Sequence, residues 1–229
     1  MRNLQDKDLL VSLIKDHGLM TILPEDVLAS CEICVFERNE PILIANQILE
    51  YFYFFVKGKL KIFQIYENGK VYLIQFYRNF DSLGEVELNT DALTSCSVQA
   101  IETSLLIRIP MDILKKYAYE YPPFLRYMAS SLASKLMVAD RHHASNLLYP
   151  VKNRLASYLR AHMNEKCEIL LEDSLLDLSD FLGTTYRQLH RALKQLEEEK
   201  VVIRYKKHFK VMNMEELNAL GGKIYEGPY

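Results

Sequence analysis

The sequence predicts an α+β chain: an N-terminal antiparallel β-roll of the jelly-roll kind, a long helix, and a C-terminal winged helix-turn-helix. Three observations carry this. From about Val35 to Ile109, short runs of β-branched and aromatic residues are separated by turn residues. From Pro122 to about Leu148, apolar residues recur at helical spacing. From Ser174 to Met212, two helix-start signals follow one another and lead into two alternating stretches. The segments expected are 1–120 for the roll with flanking helices, 121–149 for a dimerisation and linker helix, and 150–229 for the winged helix-turn-helix.

In the roll, Tyr51 to Val56 is a run of aromatic and β-branched residues, and Leu60, Ile62 and Phe63 sit among Lys59, Lys61 and Gln64. Asn68-Gly69 separates that run from Val71 to Tyr77, which predicts a hairpin closed by a type I′ turn, because both residues tolerate positive φ. Val98 to Ala100 and Leu105 to Ile109 are further strands. Met111 to Tyr117 is a short helix, and Pro122-Pro123 starts the long one. In it Leu125, Met128, Leu132, Leu136 and Ala139 share one face, which either packs on the roll or pairs with a second copy. Pro150 opens another helix, with Val151, Leu155, Tyr158 and Leu159 on one side.

The composition narrows the class of protein. The chain has 229 residues, 49% hydrophobic and 25% charged, with net charge -2. No apolar run reaches the roughly 18 residues of a membrane span, and the polar stretch Met1 to Asp8 has no signal-peptide pattern, so a cytoplasmic protein is expected. The 4 cysteines are too few for a disulfide scaffold.

The chemistry lies between Ser174 and Met212. Ser174 with Asp177 starts a short helix whose apolar residues are Leu175, Leu178, Phe181 and Leu182, and Gly183 ends it. Thr185 with Gln188 is a capping box for the next helix, Thr185 to Glu199, which buries Leu189, Ala192, Leu193 and Leu196. Two short helices joined by a Gly-containing turn make a helix-turn-helix. On the second helix Tyr186, Arg187, His190, Arg191 and Lys194 project together, a face suited to base edges in a major groove. Thr184, Thr185 and the backbone N–H groups at the helix start suit a phosphate, and Gln188 belongs to the same DNA-binding set. Lys200 to Tyr205 and His208 to Met212 form a wing with Lys206 and Lys207 at its tip. From Gly183 to Met212 there are 8 Lys or Arg against 3 Glu, a local charge of +5 in a chain whose total is -2. Cationic charge gathered on one element implies double-stranded DNA as partner. A winged helix that binds protein instead of DNA is the alternative.

At these residues the chain resembles the Crp/Fnr family of bacterial transcription regulators, with a YeiL-like regulator as the sub-type. Phe55-Val56-Lys57-Gly58 is similar to an early strand and turn of that family, Gly84-Glu85-Val86-Glu87-Leu88 to the start of its cyclic-nucleotide phosphate cassette, and Thr94 to Ala100 to the cassette's end. Gly183 through Arg191, then Leu196-Glu197-Glu198, resembles its helix-turn-helix. The resemblance implies a cyclic-nucleotide-binding-domain-like roll, a homodimer formed through the long helix, a two-fold symmetric DNA site, and RNA polymerase and a small-molecule effector as further partners. It places Glu85, Thr94 and Ser95 in an effector pocket. Two departures matter. The Arg that holds a cyclic phosphate in cyclic-AMP-binding members is Thr94 here, and the Thr-Ser pair that touches adenine falls near Ala139 and Asp140. A signal other than cyclic AMP, or no ligand, is expected. Tyr186-Arg187 replaces the common Arg-Glu, so a different operator is expected.

Three other chemistries have some of their residue types in the chain. Cys31-x-x-Cys34 is either a redox pair, or part of an iron–sulfur site, or two semi-buried thiols pointing to opposite faces of a strand. A cupin-type metal site needs converging His ligands, and none of the 6 His lies between Val35 and Ile109, so no metal site is expected. Asp140, His142, His143 and Ser145 have the residue types of a triad but crowd on successive helix positions without a Gly-rich elbow, so no catalytic residue and no enzyme are expected.

Overall fold

The computed structural model describes residues 1–69, 71–171, 174–222 and 224–225; of the expected 150–229 segment, positions 172–173, 223 and 226–229 lie outside the described residues. The chain divides into two compact units, Met1–Leu136 and Met137–Tyr229. The division falls inside the helix Pro122–Leu148.

Among its described residues the first unit holds nine strands: β1 (Arg2–Leu4), β2 (Glu32–Phe36), β3 (Pro41–Leu43), β4 (Tyr51–Lys57), β5 (Leu60–Ile65), β6 (Val71–Tyr77), β7 (Asp81–Leu83), β8 (Ser97–Ala100) and β9 (Ser104–Pro110). They form two antiparallel sheets, ordered β1-β2-β9-β4-β7 and β3-β8-β5-β6. The five-stranded sheet is buried on both faces, which explains why β4 reads as an unbroken apolar run. Successive residues of a strand point to opposite sides. Tyr53 and Phe55 join a core with Phe36, Leu60, Ile62 and Leu106, drawn from both sheets. Phe52 and Phe54 join a second core against helices α1 (Lys7–Asp16), α2 (Glu25–Leu28), α4 (Met111–Tyr117) and α5 (Pro122–Leu148). There Phe52 meets Phe124 edge-on at 6.1 Å between centroids, and Phe54 stacks on Phe80 at 5.7 Å. Truncating Phe54 to Ala costs about 3–5 kcal/mol by the usual transfer-plus-cavity arithmetic. A further helix, α3 (Glu85–Thr90), follows β7.

Gly58 turns β4 into β5 at φ +114°, and a Cβ there would lie 2.4 Å from Ser104 Oγ, so both the backbone angle and the close approach require glycine. Three features differ from the sequence reading. The β5–β6 hairpin does not close on a type I′ Asn68-Gly69 turn. The last pair is Ile65↔Val71, Gly69 N donates to Tyr66 O at 2.8 Å, and of the two residues only Gly69 has positive φ, so the loop is wider. Strand β1 was not foreseen; it exists by pairing with β2, Leu4 opposite Ile33. Met128 lies at the edge of the stripe of Leu125, Leu132, Leu136 and Ala139 and is buried where they are open or half covered. It is 3% exposed and packs with Phe124 in the second core, because α5 rests on its own roll through that side. Leu125 is 41% and Leu136 70% exposed.

The second unit is built on α6 (Val151–Ala161), α7 (Leu175–Phe181), α8 (Tyr186–Glu198) and α9 (Met214–Gly221), with a three-stranded sheet ordered β10 (Glu168–Leu170), β12 (His208–Val211), β11 (Val202–Tyr205). One core joins Leu155 and Leu159 of α6 to Leu178, Leu189, Leu193, Leu196, Phe209 and Leu217. Pro150 is the N-cap of α6 and not its first helical residue, the position expected from sequence; the helix begins at Val151. Strand β10 and helix α9 are additions to the expected wing and helices.

Candidate nucleic-acid interface

Local chemistry sets the geometry of α7 and α8. Ser174 caps α7, its hydroxyl accepting from Asp177 N at 3.0 Å and donating to Asp177 Oδ2 at 2.7 Å. The helix ends in a Schellman motif. Thr184 N donates to Ser179 O at 2.9 Å and Gly183 N to Asp180 O at 3.1 Å, with Gly183 at φ +56°. A Cβ on Gly183 would come within 2.8 Å of the Asn146 side chain, so a larger residue there would have to push Asn146 aside. Thr185 then caps α8. Gln188 N donates to Thr185 Oγ1 at 3.2 Å, and Thr185 N donates back to Gln188 Oε1 at 3.3 Å, which completes the capping box. Thr184 Oγ1 also donates to Gln188 Oε1, at 2.8 Å. The carbonyl end of Gln188 is thus spent on the cap, and its amide N–H groups are what it retains for a ligand.

Helix α8 is two-sided. Leu189, Ala192, Leu193 and Leu196 are buried. At about 100° per residue, Tyr186, Arg187, His190, Arg191 and Lys194 fall on the opposite face, and all five are exposed. The Tyr186 and His190 rings lie 5.7 Å apart. Lys194 pairs with Glu198 at 3.3 Å, one turn on. Arg187 and Arg191 make no ion pair among the described residues. Helix α8 closes in a second Schellman motif, Val201 N to Leu196 O at 2.9 Å and Lys200 N to Glu197 O at 3.0 Å, with Lys200 at φ +58° where glycine is usual. Strands β11 and β12 follow, paired Tyr205↔His208, so Lys206-Lys207 is a two-residue loop with both side chains exposed. The structure therefore gathers one cationic helix face and one cationic loop tip in the same compact unit.

Sequence reasoning missed the residues behind the turn. Arg154 on α6 is 5% exposed and donates to Asn146 Oδ1 at 2.7 Å and to Leu182 O, and His142 Nε2 meets Phe181 O at 2.7 Å. The signal was present: Arg154 is a lone cation on the apolar side of α6, beside Leu155 and Tyr158.

Two family models match the chain, a cyclic nucleotide-binding domain over residues 33–121 and a Crp-like helix-turn-helix domain over residues 153–220. The regulatory protein YeiL of Escherichia coli O157:H7 is 25% identical over 195 residues, covering 85% of this chain and 88% of that protein. The global nitrogen regulator of Synechococcus elongatus is 24% identical over 187 residues, covering 78% and 84%. Among solved structures, the c-di-GMP-responsive global regulator CLP of Xanthomonas campestris superposes at a TM-score of 0.75 with 15% identity, over 87% of this chain and 100% of that one. The chain belongs to the Crp/Fnr family of transcription regulators. It is a DNA-binding regulator whose N-terminal unit has the cyclic-nucleotide-binding fold.

In this Crp/Fnr member the three residues assigned to the effector pocket have separate environments, and no hydrogen bond joins Glu85 to Thr94 or Ser95 among the described residues. Glu85 is 4% exposed. It is ion-paired with Lys135 of α5 and accepts from Ser82 and from Ser131, the latter at 3.0 Å. Lys135 also pairs with Asp81 at 3.1 Å and donates to Ser82 O at 2.6 Å. Burial raises the Glu85 pKa, but the ammonium and the hydrogen bonds outweigh it, and the carboxyl titrates below its ordinary range. For Asp81 burial prevails over Lys135 and the pKa is raised. Thr94 is buried and ties down a loop: its hydroxyl donates to Ile44 O at 2.5 Å, with Gln47 O also within reach at 3.1 Å, and accepts from Gln47 N at 3.0 Å. Ser95 is exposed, and its N–H faces Glu87.

Cys31 and Cys34 do not form one site. Cys31 packs in the core with α1, α2 and α4, and Cys34 in the core between the sheets. Each thiol donates to a backbone carbonyl at 3.5 Å, Val27 O and Leu106 O respectively. Burial pushes both pKa values up to about 12, so neither is a thiolate at neutral pH. The redox and cluster readings of this pair fail on that geometry.

Proposed function

We propose that this protein acts as a homodimer whose two α8 helices read the two halves of a symmetric duplex site, under a signal other than cyclic AMP. The exposed Tyr186–Arg187–His190–Arg191–Lys194 face, set opposite four buried apolar residues, is the observation that carries the reading. Arg187 and Arg191 read base edges, with Tyr186, His190 and Lys194 beside them. Thr184, Thr185 and the Gln188 amide hold a phosphate at the start of α8, and Lys206 and Lys207 reach the backbone from the wing. Leu125, Leu132, Leu136 and Ala139 supply the dimer contact, since this stripe is open to solvent or only half covered by its own unit. Two features favour a different signal: Glu85 is already engaged by Lys135 and Ser131, and Thr94 offers no cation to a cyclic phosphate and is spent on its loop. RNA polymerase is the expected further partner, in the cytoplasm; no helix among the described residues is long and apolar enough to cross a membrane.

The test uses duplexes that the wild-type protein selects from a random library. Arg187→Ala and Arg191→Ala are expected to cost about 1–3 kcal/mol on the selected duplex and to relax preference at particular base positions. Lys207→Ala is expected to weaken all duplexes alike and to lower the salt slope by about 1. Three variants that weaken every sequence equally would remove the assignment of base readers.

A further inference from the structure

We propose that His142, Asn146 and Arg154 form a clamp that fixes the α7–α8 turn, and that Arg154 is its central positioning residue for DNA reading. This rests on the reading of α8 given above and adds what aims it.

A helix leaves its last four carbonyls without intrahelical partners. At the end of α7 these are the carbonyls of Ser179, Asp180, Phe181 and Leu182, since Leu178 O still accepts from Leu182 N at 2.9 Å. The turn itself satisfies the first two through Thr184 N and Gly183 N. The other two are met from outside the motif: Phe181 O by His142 Nε2 at 2.7 Å, and Leu182 O by the Arg154 guanidinium. Asn146 completes the arrangement. Its Oδ1 takes the Arg154 Nη1 proton at 2.7 Å, and its amide fills the space a side chain at position 183 would need.

The chemistry argues for a positional role. Arg154 and His142 are each 5% exposed. Arg154 has no carboxylate partner among the described residues, and its Nε has no hydrogen-bond partner. Burying a guanidinium on these terms is costly, and an apolar side chain of similar volume would fill the space at lower cost. What an apolar residue cannot do is hold the carbonyl of Leu182, the residue just before the turn. A cation is also the group a helix C-terminus attracts. Tilting α7 against α8 would break these bonds, so the clamp selects one angle for the recognition helix. Two of its members, His142 and Asn146, lie on α5, the helix assigned to the dimer contact. A rotation of the last turns of α5 therefore reaches the turn through two side chains.

The experiment compares full-length wild type, Arg154→Met, Arg154→Lys and Asn146→Ala. It measures the affinity ratio of a library-selected duplex to random competitor, the salt slope, and thermal unfolding. Arg154→Met is expected to lose at least tenfold in that ratio while its affinity for random duplex and its salt slope stay as in wild type, because the phosphate-facing lysines are untouched. Arg154→Lys, which keeps one donor for Leu182 O, is expected to recover part of the ratio. A purely structural arginine would lower the melting temperature and leave the ratio intact. A folded Arg154→Met within twofold of the wild-type ratio overturns the proposal. If Arg154→Met does not fold, Asn146→Ala decides: a threefold or greater drop supports the clamp, and an unchanged ratio overturns it. A wild-type protein that selects no duplex overturns the reading of α8 itself, and the clamp with it.

Discussion

Replacing Lys135 with Met tests how α5 is tied to the roll. The change keeps most of the aliphatic stem and removes the ammonium from Glu85 and Asp81. Glu85 is 4% exposed and would remain buried with the Ser82 and Ser131 hydroxyls and its own backbone N–H as donors. Removing one partner of a buried pair costs about 3–5 kcal/mol; the Lys135 side chain is 23% exposed, which places the cost at the lower end, about 3 kcal/mol. At about 2–4 °C per kcal/mol for a chain of this size, the melting temperature falls by roughly 6–12 °C. The pH dependence is more diagnostic. In wild type the Glu85 pKa lies below its unfolded value of about 4.3. Its contribution is therefore complete above that value and is lost as pH falls through the lower folded one. In the variant burial is opposed only by the remaining hydrogen bonds, the folded pKa is expected above about 4.3, and stability is lost as pH rises through it. Asp81, already raised, moves the same way. Unfolding by urea from pH 4.5 to 7.5 should show a penalty that is small at the acid end and full at the neutral end. Adding Glu85→Gln should restore part of the loss, since the more deeply buried of the two unpaired carboxylates is then gone while Asp81, its side chain 28% exposed, remains. A penalty under about 1 kcal/mol, or one that does not vary with pH, would refute the view that this pair is buried and coupled.

Thr185→Ala removes the α8 cap and should cost about 1 kcal/mol in urea unfolding. Lys200→Gly relieves a side chain held at φ +58° and should stabilise by about 0.5–1 kcal/mol, seen as a raised urea midpoint with an unchanged slope. Leu136→Glu places a charge on the exposed α5 stripe; sedimentation should show a folded monomer where wild type sediments as a dimer, and an unchanged dimer would exclude the stripe as the contact.

What could be read in the sequence was what local chemistry determines. Ser174, Gly183, Thr185 and Gln188 announce α7, the turn and α8 because caps and positive-φ residues act within a few positions of where they stand. Arg187 and Arg191 were legible because Leu189, Ala192, Leu193 and Leu196 fix which way the helix faces. Cys31 and Cys34 were legible in part, since the pleat alone sends them apart. What stayed hidden depends on distant partners. Arg2, Asn3 and Leu4 have no strand signal of their own, and β1 exists because β2 offers them an edge. Met128 shows the limit of periodicity. Its spacing from Leu125 and Leu132 suits one stripe, but α5 has two faces to satisfy, and only the position of Phe52 and Phe54 beneath Phe124 and Tyr127 decides which of them takes Met128. The clamp is the same lesson in polar form. Arg154 reads as a misplaced cation until the carbonyl of Leu182, 28 positions away, is set in front of it. A side chain that breaks its own helix pattern marks a place where the rest of the fold has imposed a requirement, and in this chain that requirement is the angle at which the recognition helix meets its turn.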